Sequence, residues 1–327
     1  MNKMLKKAGI EERFFDTDEI KLNYVAGPPN GTPLVFIPGQ GVTWEEYILL
    51  LPKLAHRFQV FAVTLRGHGK STFTPGKYTF NILGKDMTAF LREVVGKPAI
   101  VGGNSSGGVL SVWLAANSPE WVKGVICEDP PLFLCEWPTI KTTWVYDVFS
   151  ILLETMGTPG GGGLPKYFKE STNLMGSILK EVMNIKLPPK FIINFISKII
   201  AIKRFFRPNS PVDLKFLPLE RRILLKGNSQ FDFTFTKAFL DGSVGKGFDH
   251  AIALAKVAQP MLFLHANWYM YEGRLLGAIG DEEVARVKSL VKGSWKYVRM
   301  KCGHGIPIVR PDEESKEIIR WVDEYLK

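Results

Sequence analysis

Cysteine is scarce, with Cys127, Cys135 and Cys302 the only three in 327 residues. An odd number with no close pair supplies neither a disulfide framework nor a metal-ligand spacing, and it suits a reducing compartment. Long hydrophobic runs are missing too: no uncharged apolar segment reaches the roughly 18 to 20 residues that a spanning helix needs. The opening MNKMLKKAGIEERFF places lysines ahead of no apolar stretch, so no secretory leader is expected. A cytoplasmic protein is therefore expected. The net charge of +10 is spread without a block of like charges, which gives little footing for nucleic-acid binding. There is no G-x-G-x-x-G dinucleotide fingerprint and no clustered His/Asp/Glu set. Neither a cofactor nor a metal is expected.

What is present is a globular chain, 46% hydrophobic and 12% aromatic, long enough for one large α/β domain with an insertion or for two modest domains. Short strands are expected at Arg13 to Phe15 and Ile20 to Val25. Continuous apolar runs of the kind buried on both faces of a sheet follow at Leu34 to Ile37, Val60 to Val63, Pro98 to Val101, Val122 to Cys127 and Met261 to Leu264, with a last strand at Lys296 to Met300. Helical patterns lie between them at Trp44 to Ala55, Phe80 to Val95 and Val109 to Asn117, and Pro311 to Leu326 closes the chain. This alternation predicts an α/β fold with a mostly parallel sheet and helices on both faces. The alternation stops between Leu132 and His250, where the pattern is helical, with several prolines and a flexible run at Gly160 to Gly163. The expected organisation is a core of residues 1–131 and 251–327 with an inserted helical cap over 132–250.

One stretch stands out. Gly103-Asn104-Ser105-Ser106-Gly107 joins a strand to a helix and has the Gly-x-Ser-x-Gly spacing of a nucleophile elbow. A serine in such a turn tolerates no bulk two residues to either side, because strand and helix backbones approach closely there. The Ser106 amide then sits at a helix N-terminus, where it can stabilise an oxyanion. Ser106 as the nucleophile has Gly108 behind it but Asn104 two residues ahead, so Ser105 fits better. The bland reading is a tight Gly/Ser connection.

Ligands of open parallel sheets bind beyond the carboxyl ends of the strands. Gln40, Ser105, Glu128 with Asp129, and His304 all follow predicted strands, in the order nucleophile, acid, histidine. Together with Pro38-Gly39-Gln40-Gly41, Arg66-Gly67-His68-Gly69-Lys70-Ser71 and Gly303-His304, the chain resembles a serine hydrolase of the α/β-hydrolase fold superfamily over nearly everything outside the insertion. The resemblance implies Ser105 as nucleophile, His304 as the base that takes its proton, and an oxyanion hole from the Gln40 and Ser106 amides. Pro38 stands where the family often has histidine, a change that leaves the backbone donor in place. The usual acid position, in the loop His265 to Glu272, holds no carboxylate at the family's offset. Some relatives, including lactonases that open the macrocycle of zearalenone, carry the acid after the earlier strand. Alignment on the following proline then makes Asp129 the acid, with Glu128 the runner-up.

The resemblance implies a cofactor-free hydrolase that acylates Ser105, acting on a carboxylic ester or lactone with a hydrophobic body. The same residues serve C–C bond hydrolysis, amide hydrolysis and perhydrolysis in this fold. Serine in place of aspartate argues against dehalogenase or epoxide hydrolase chemistry. A rival from another class is a non-catalytic protein that keeps the pocket for a small apolar ligand. The other histidines read as structural: His68 in a family loop, His56 at an exposed helix end and His265 as a satisfied core residue, with His250 a possible pocket liner. The insertion holds sixteen Lys/Arg against ten Asp/Glu and is rich in aromatics. Its most apolar stretch, Phe191 to Phe206, is open to three readings: a helix packed on the core, a lid over an apolar pocket, or a helix that docks on an anionic membrane surface.

Overall fold

The computed structural model describes residues 3–157, 162–183 and 188–326, without the side chains of 177–183. Gly160 and Gly161 of the glycine run lie outside the described residues. Eight strands form the main sheet: β1 (Glu11–Asp16), β2 (Lys21–Ala26), β3 (Pro33–Ile37), β4 (Gln59–Thr64), β5 (Ala99–Asn104), β6 (Val122–Glu128), β7 (Met261–His265) and, past the small hairpin of β8 (Tyr269–Tyr271) and β9 (Arg274–Leu276), β10 (Trp295–Arg299). The order is β1-β2-β4-β3-β5-β6-β7-β10. Strands from β4 to β10 run parallel and β2 is antiparallel to both neighbours. The carboxyl ends of β3, β5, β6, β7 and β10 therefore lie along one edge of the sheet.

The central strands are mostly apolar because both faces are covered. Alternate residues divide between two cores. Val35, Ile37 and Val101 face the first, where α3 (Phe80–Phe90), α4 (Ser106–Asn117), α10 (His250–Leu254) and α11 (Asp281–Leu290) pack. Leu34, Phe36 and Ile100 face the second, shared with α1 (Lys3–Lys7), α2 (Leu51–Leu54) and α13 (Pro311–Tyr325). Between β6 and β7 the chain leaves the sheet for α5 (Trp144–Gly157), α6 (Gly163–Met183), α7 (Lys190–Phe206), α8 (Leu219–Asn228) and α9 (Phe233–Leu240). These helices bring an apolar cluster of their own, with Leu164, Ile196, Ile200, Val212, Leu214 and Leu225.

Three local expectations change. The single helix over Trp44 to Ala55 is instead a 3₁₀ turn at Trp44–Tyr47 followed by the short α2. Pro52, at the start of α2, has no amide to continue a helix from before it. The helix expected to run to Val95 is α-helical only to Phe90 and finishes as a wider π turn, Leu91–Val95, closed by Gly96 at φ 70°. The β8–β9 hairpin is additional. Its turn residues Glu272 and Gly273 both take positive φ, the requirement of a two-residue hairpin turn, and Glu272 is thereby carried to an exposed tip.

Candidate active site

The site begins with the backbone at Ser105. Its φ of 57° and ψ of −125° lie in a region that a residue with a Cβ enters only when its surroundings force it there. The surroundings are packed. A Cβ on Gly103 would lie 2.4 Å from the Gly107 carbonyl carbon, and one on Gly107 would lie 2.0 Å from the Ile37 carbonyl oxygen. The Ser105 amide donates to the Glu128 carbonyl at 2.9 Å, and the Asn104 amide donates to the Tyr47 hydroxyl at 2.9 Å. The neighbouring strand β6 and the 3₁₀ turn thus hold the elbow from two sides.

Asp129 follows β6 directly and also has positive φ, 50°. Its amide donates to the Leu264 carbonyl at 2.8 Å. The carboxylate is buried; Oδ1 accepts from the Ala266 amide at 3.2 Å and Oδ2 accepts from His304 Nδ1 at 2.7 Å. His304 stands in the loop between β10 and α12 (Ile306–Val309), and its carbonyl accepts from Asn104 Nδ2 at 2.9 Å. Burial pulls the imidazole pKa down, but the hydrogen bond and charge of Asp129, joined by the charges of Glu46 and Glu220, raise it above its ordinary value.

Glu128 has a different partner. Its Oε2 accepts from the Tyr47 hydroxyl at 2.9 Å, and the Glu314 carboxyl lies beside it in the second core. Burial pushes both carboxyls well above the usual carboxylate range, helped at Glu314 by the charge of Glu128 and at Glu128 by that of Glu46. Of the two carboxylates at the end of β6, Asp129 is the one that meets the histidine.

Gln40 follows β3. On one side of it the Gly39 amide donates to Glu46 Oε2 at 2.8 Å; on the other the Gly41 amide donates to His68 Nε2 at 3.0 Å. The Gln40 amide between them has no hydrogen-bond partner among the described residues. Ser106 is the first residue of α4, so its amide has no acceptor within the helix. A Cβ on Gly39 would come within 3.1 Å of Ser105 Cβ, which fixes how closely this loop approaches the elbow. Gln40, Ser105, Ser106 and His304 line one cavity. Its other walls are mostly apolar, with Leu134, Ile140, Trp144, Val145, Phe149 and Phe239 among them.

A family model described as the α/β-hydrolase fold matches residues 32–159. The chain spans about a third of the length of the curated relatives it matches, or less. With bifunctional epoxide hydrolase 2 of Sus scrofa it shares 33% identity over 106 residues, 31% of this chain and 19% of that one. Solved structures align far more completely. A hydrolase from Pseudomonas aeruginosa superimposes with a TM-score of 0.65 at 18% identity, covering 95% of this chain and 98% of its own. An enol-lactonase from Burkholderia xenovorans gives 0.64 at 15% identity, covering 95% and 100%. The chain has the α/β-hydrolase fold.

Three of the remaining histidines are held by hydrogen bonds within the fold. His68 is buried, with Nδ1 against the Arg66 carbonyl and Nε2 accepting from Gly41, and burial lowers its pKa to about 4. His265 is bonded at both nitrogens, to the Tyr297 hydroxyl and the Ile279 carbonyl. His250 is absent from the cavity wall. Its Nδ1 accepts from the Phe133 amide at 2.8 Å, and burial lowers its pKa to about 4. Sequence reasoning missed Asn104, which ties the elbow to the His304 loop, and Glu46, Tyr47, Glu220 and Glu314. Asn104 sits inside the elbow motif, so its position was available as a signal; the four others carry none.

Proposed function

We propose that this α/β-hydrolase is a serine hydrolase that carries an acyl group on Ser105 and acts on a carboxylic ester or lactone with a hydrophobic body. The observation that carries this reading is the 2.7 Å hydrogen bond from His304 Nδ1 to Asp129 Oδ2, at the wall of the cavity that Ser105 also lines. Asp129 fixes the imidazole with Nε2 unprotonated, and His304 takes the Ser105 proton as Oγ attacks the carbonyl carbon. The Gln40 and Ser106 amides receive the oxyanion of the tetrahedral intermediate. His304 then protonates the leaving alkoxide, and a water activated by the same histidine releases the acid.

The apolar wall supports a hydrophobic substrate body. Trp144, Val145 and Phe149 from α5 and Phe239 from α9 supply much of that wall, so we assign residues 132–250 the role of a cap that excludes water and selects the substrate. Cys127, Cys135 and Cys302 are all buried and unpaired, which favours a cytoplasmic setting. No helix among the described residues is long and apolar enough to cross a membrane. The test is a hydrolysis screen over esters, lactones and amides of graded acyl length, with Ser105→Ala as the blank. Turnover of apolar esters or lactones that vanishes in Ser105→Ala supports the reading. Turnover of amides alone would move the assignment to another bond type, and tight binding without turnover would mark a non-catalytic ligand-binding protein.

A further inference from the structure

Helix α7 is apolar on two opposite faces. Ile193, Ile196 and Ile200 are buried, and Ile196 and Ile200 belong to the cluster that includes Leu164, Val212 and Leu214. At 3.6 residues per turn, positions 191, 195, 198, 202, 205 and 206 fall in a second stripe about 100° wide. That stripe carries Phe191, Phe195, Ile202, Phe205 and Phe206, which are 57–82% exposed, with Lys198 between them. A surface helix ordinarily places charge where this one places phenylalanine.

The sequence around the helix carries charge of one sign. Between Glu181 and Asp213 the sequence contains no acidic residue, but it contains Lys186, Lys190, Lys198, Lys203, Arg204 and Arg207. Among the described residues no carboxylate lies within salt-bridge distance of the five from Lys190 onward. Lys203 donates to the Asp213 carbonyl, and Arg204 to the carbonyls of Pro208 and Ser229.

We infer that α7 docks in the plane of an anionic lipid bilayer, with its phenylalanine stripe in the acyl–headgroup boundary and Lys198, flanked by Lys190 and Lys203, at the lipid phosphates. A second copy of the chain suits the face poorly, because a two-fold pairing sets Lys198 and its basic neighbours against themselves. The helix is linked to the active-site cavity through packing: α7 lies on α6, which lies on α5, the helix that contributes Trp144 and Phe149 to the cavity wall. Docking does not depend on acyl transfer at Ser105, so the two readings fail separately.

The test uses the full chain and flotation with unilamellar vesicles. One set is phosphatidylglycerol and phosphatidylcholine in equal parts, the other phosphatidylcholine alone. Wild type and Ser105→Ala are expected to float equally with the anionic set at about 0.05 M salt and to lose at least tenfold in partitioning at about 0.5 M, where screening is much shorter-ranged. Phosphatidylcholine vesicles are expected to leave both in solution. Removing Lys198 and Lys203 as glutamines should weaken binding about fivefold per residue. Phe191→Ser, Phe195→Ser, Phe205→Ser and Phe206→Ser together should weaken it at least a hundredfold. The double change Phe205→Ser with Phe206→Ser, at the exposed helix end, should weaken it about tenfold and provides a milder variant with less demand on folding. The proposal is overturned if wild type does not float with anionic vesicles at low salt, or if the phenylalanine variants float as well as wild type. It is equally overturned if the wild type forms a dimer that those variants abolish, since the face then belongs to a second copy.

Discussion

Asp129→Asn tests the geometry at its most exacting point, because the side chain keeps its shape while its partners dictate how the amide lies. The Ala266 amide donates to Oδ1 at 3.2 Å, so the asparagine oxygen stays there and its NH₂ turns toward His304 Nδ1. Two N–H groups cannot face each other. The imidazole must hold its proton on Nε2 instead, the nitrogen that has to accept the Ser105 proton. Loss of tautomer control in a Ser-His-Asp arrangement lowers kcat by about 10⁴, or about 5 kcal/mol at ~1.36 kcal/mol per factor of ten. The pH profile carries a second signature. His304 acts while neutral and its pKa is raised, so wild-type kcat/KM falls as pH drops through a value above the ordinary 6.5. Without Asp129 the hydrogen bond and nearest charge that raise it are gone and burial remains, so the acid limb moves to lower pH. The assay is kcat/KM for an activated apolar ester from about pH 4.5 to 9. An Asp129→Asn enzyme within tenfold of wild type with an unmoved acid limb would refute the reasoning, as would a larger loss from Glu128→Gln.

The sheet was legible because central parallel strands are buried on both faces, and Leu34 to Ile37 or Val60 to Val63 admit almost no other reading. The elbow was legible for a steric reason: with Gly107 pressed against the Ile37 carbonyl, only glycine fits two residues after Ser105. The acid was legible only as a pair. Consecutive residues on a strand point to opposite faces, and the sequence does not say which of Glu128 and Asp129 turns toward the histidine. The structure separates them by sending Glu128 to Tyr47 and turning Asp129 back at positive φ. The struts around Gln40 were illegible, since Glu46 and His68 reach Gly39 and Gly41 across 7 and 27 residues respectively. Glu220 comes from the inserted helices, where nothing in the local pattern points at His304.

Gly107→Ala should cost roughly 3 kcal/mol or more, because the new methyl would meet backbone oxygen at 2.0 Å; a urea midpoint that falls little, with unchanged slope, contradicts the packing argument. Glu314→Gln should raise the melting temperature more at pH 8 than at pH 5. The raised Glu314 carboxyl keeps its proton in the fold while the unfolded chain releases it near 4.5, so the wild type loses stability as pH climbs above that value; an equal gain at both pH values counts against the buried pair. Phe149→Ala opens the cavity wall beside Phe239 and should raise the kcat/KM ratio of long over short acyl esters about tenfold. An unchanged ratio would place the acyl chain elsewhere.

The central claim is that Ser105 is a nucleophile activated by His304 and Asp129. Intact-mass analysis of the wild-type protein after treatment with a fluorophosphonate tests it most directly. One phosphonyl adduct, mapped to Ser105 and absent from Ser105→Ala, is the result the account predicts. A folded wild-type protein that takes no adduct, or takes it at another residue, would contradict it.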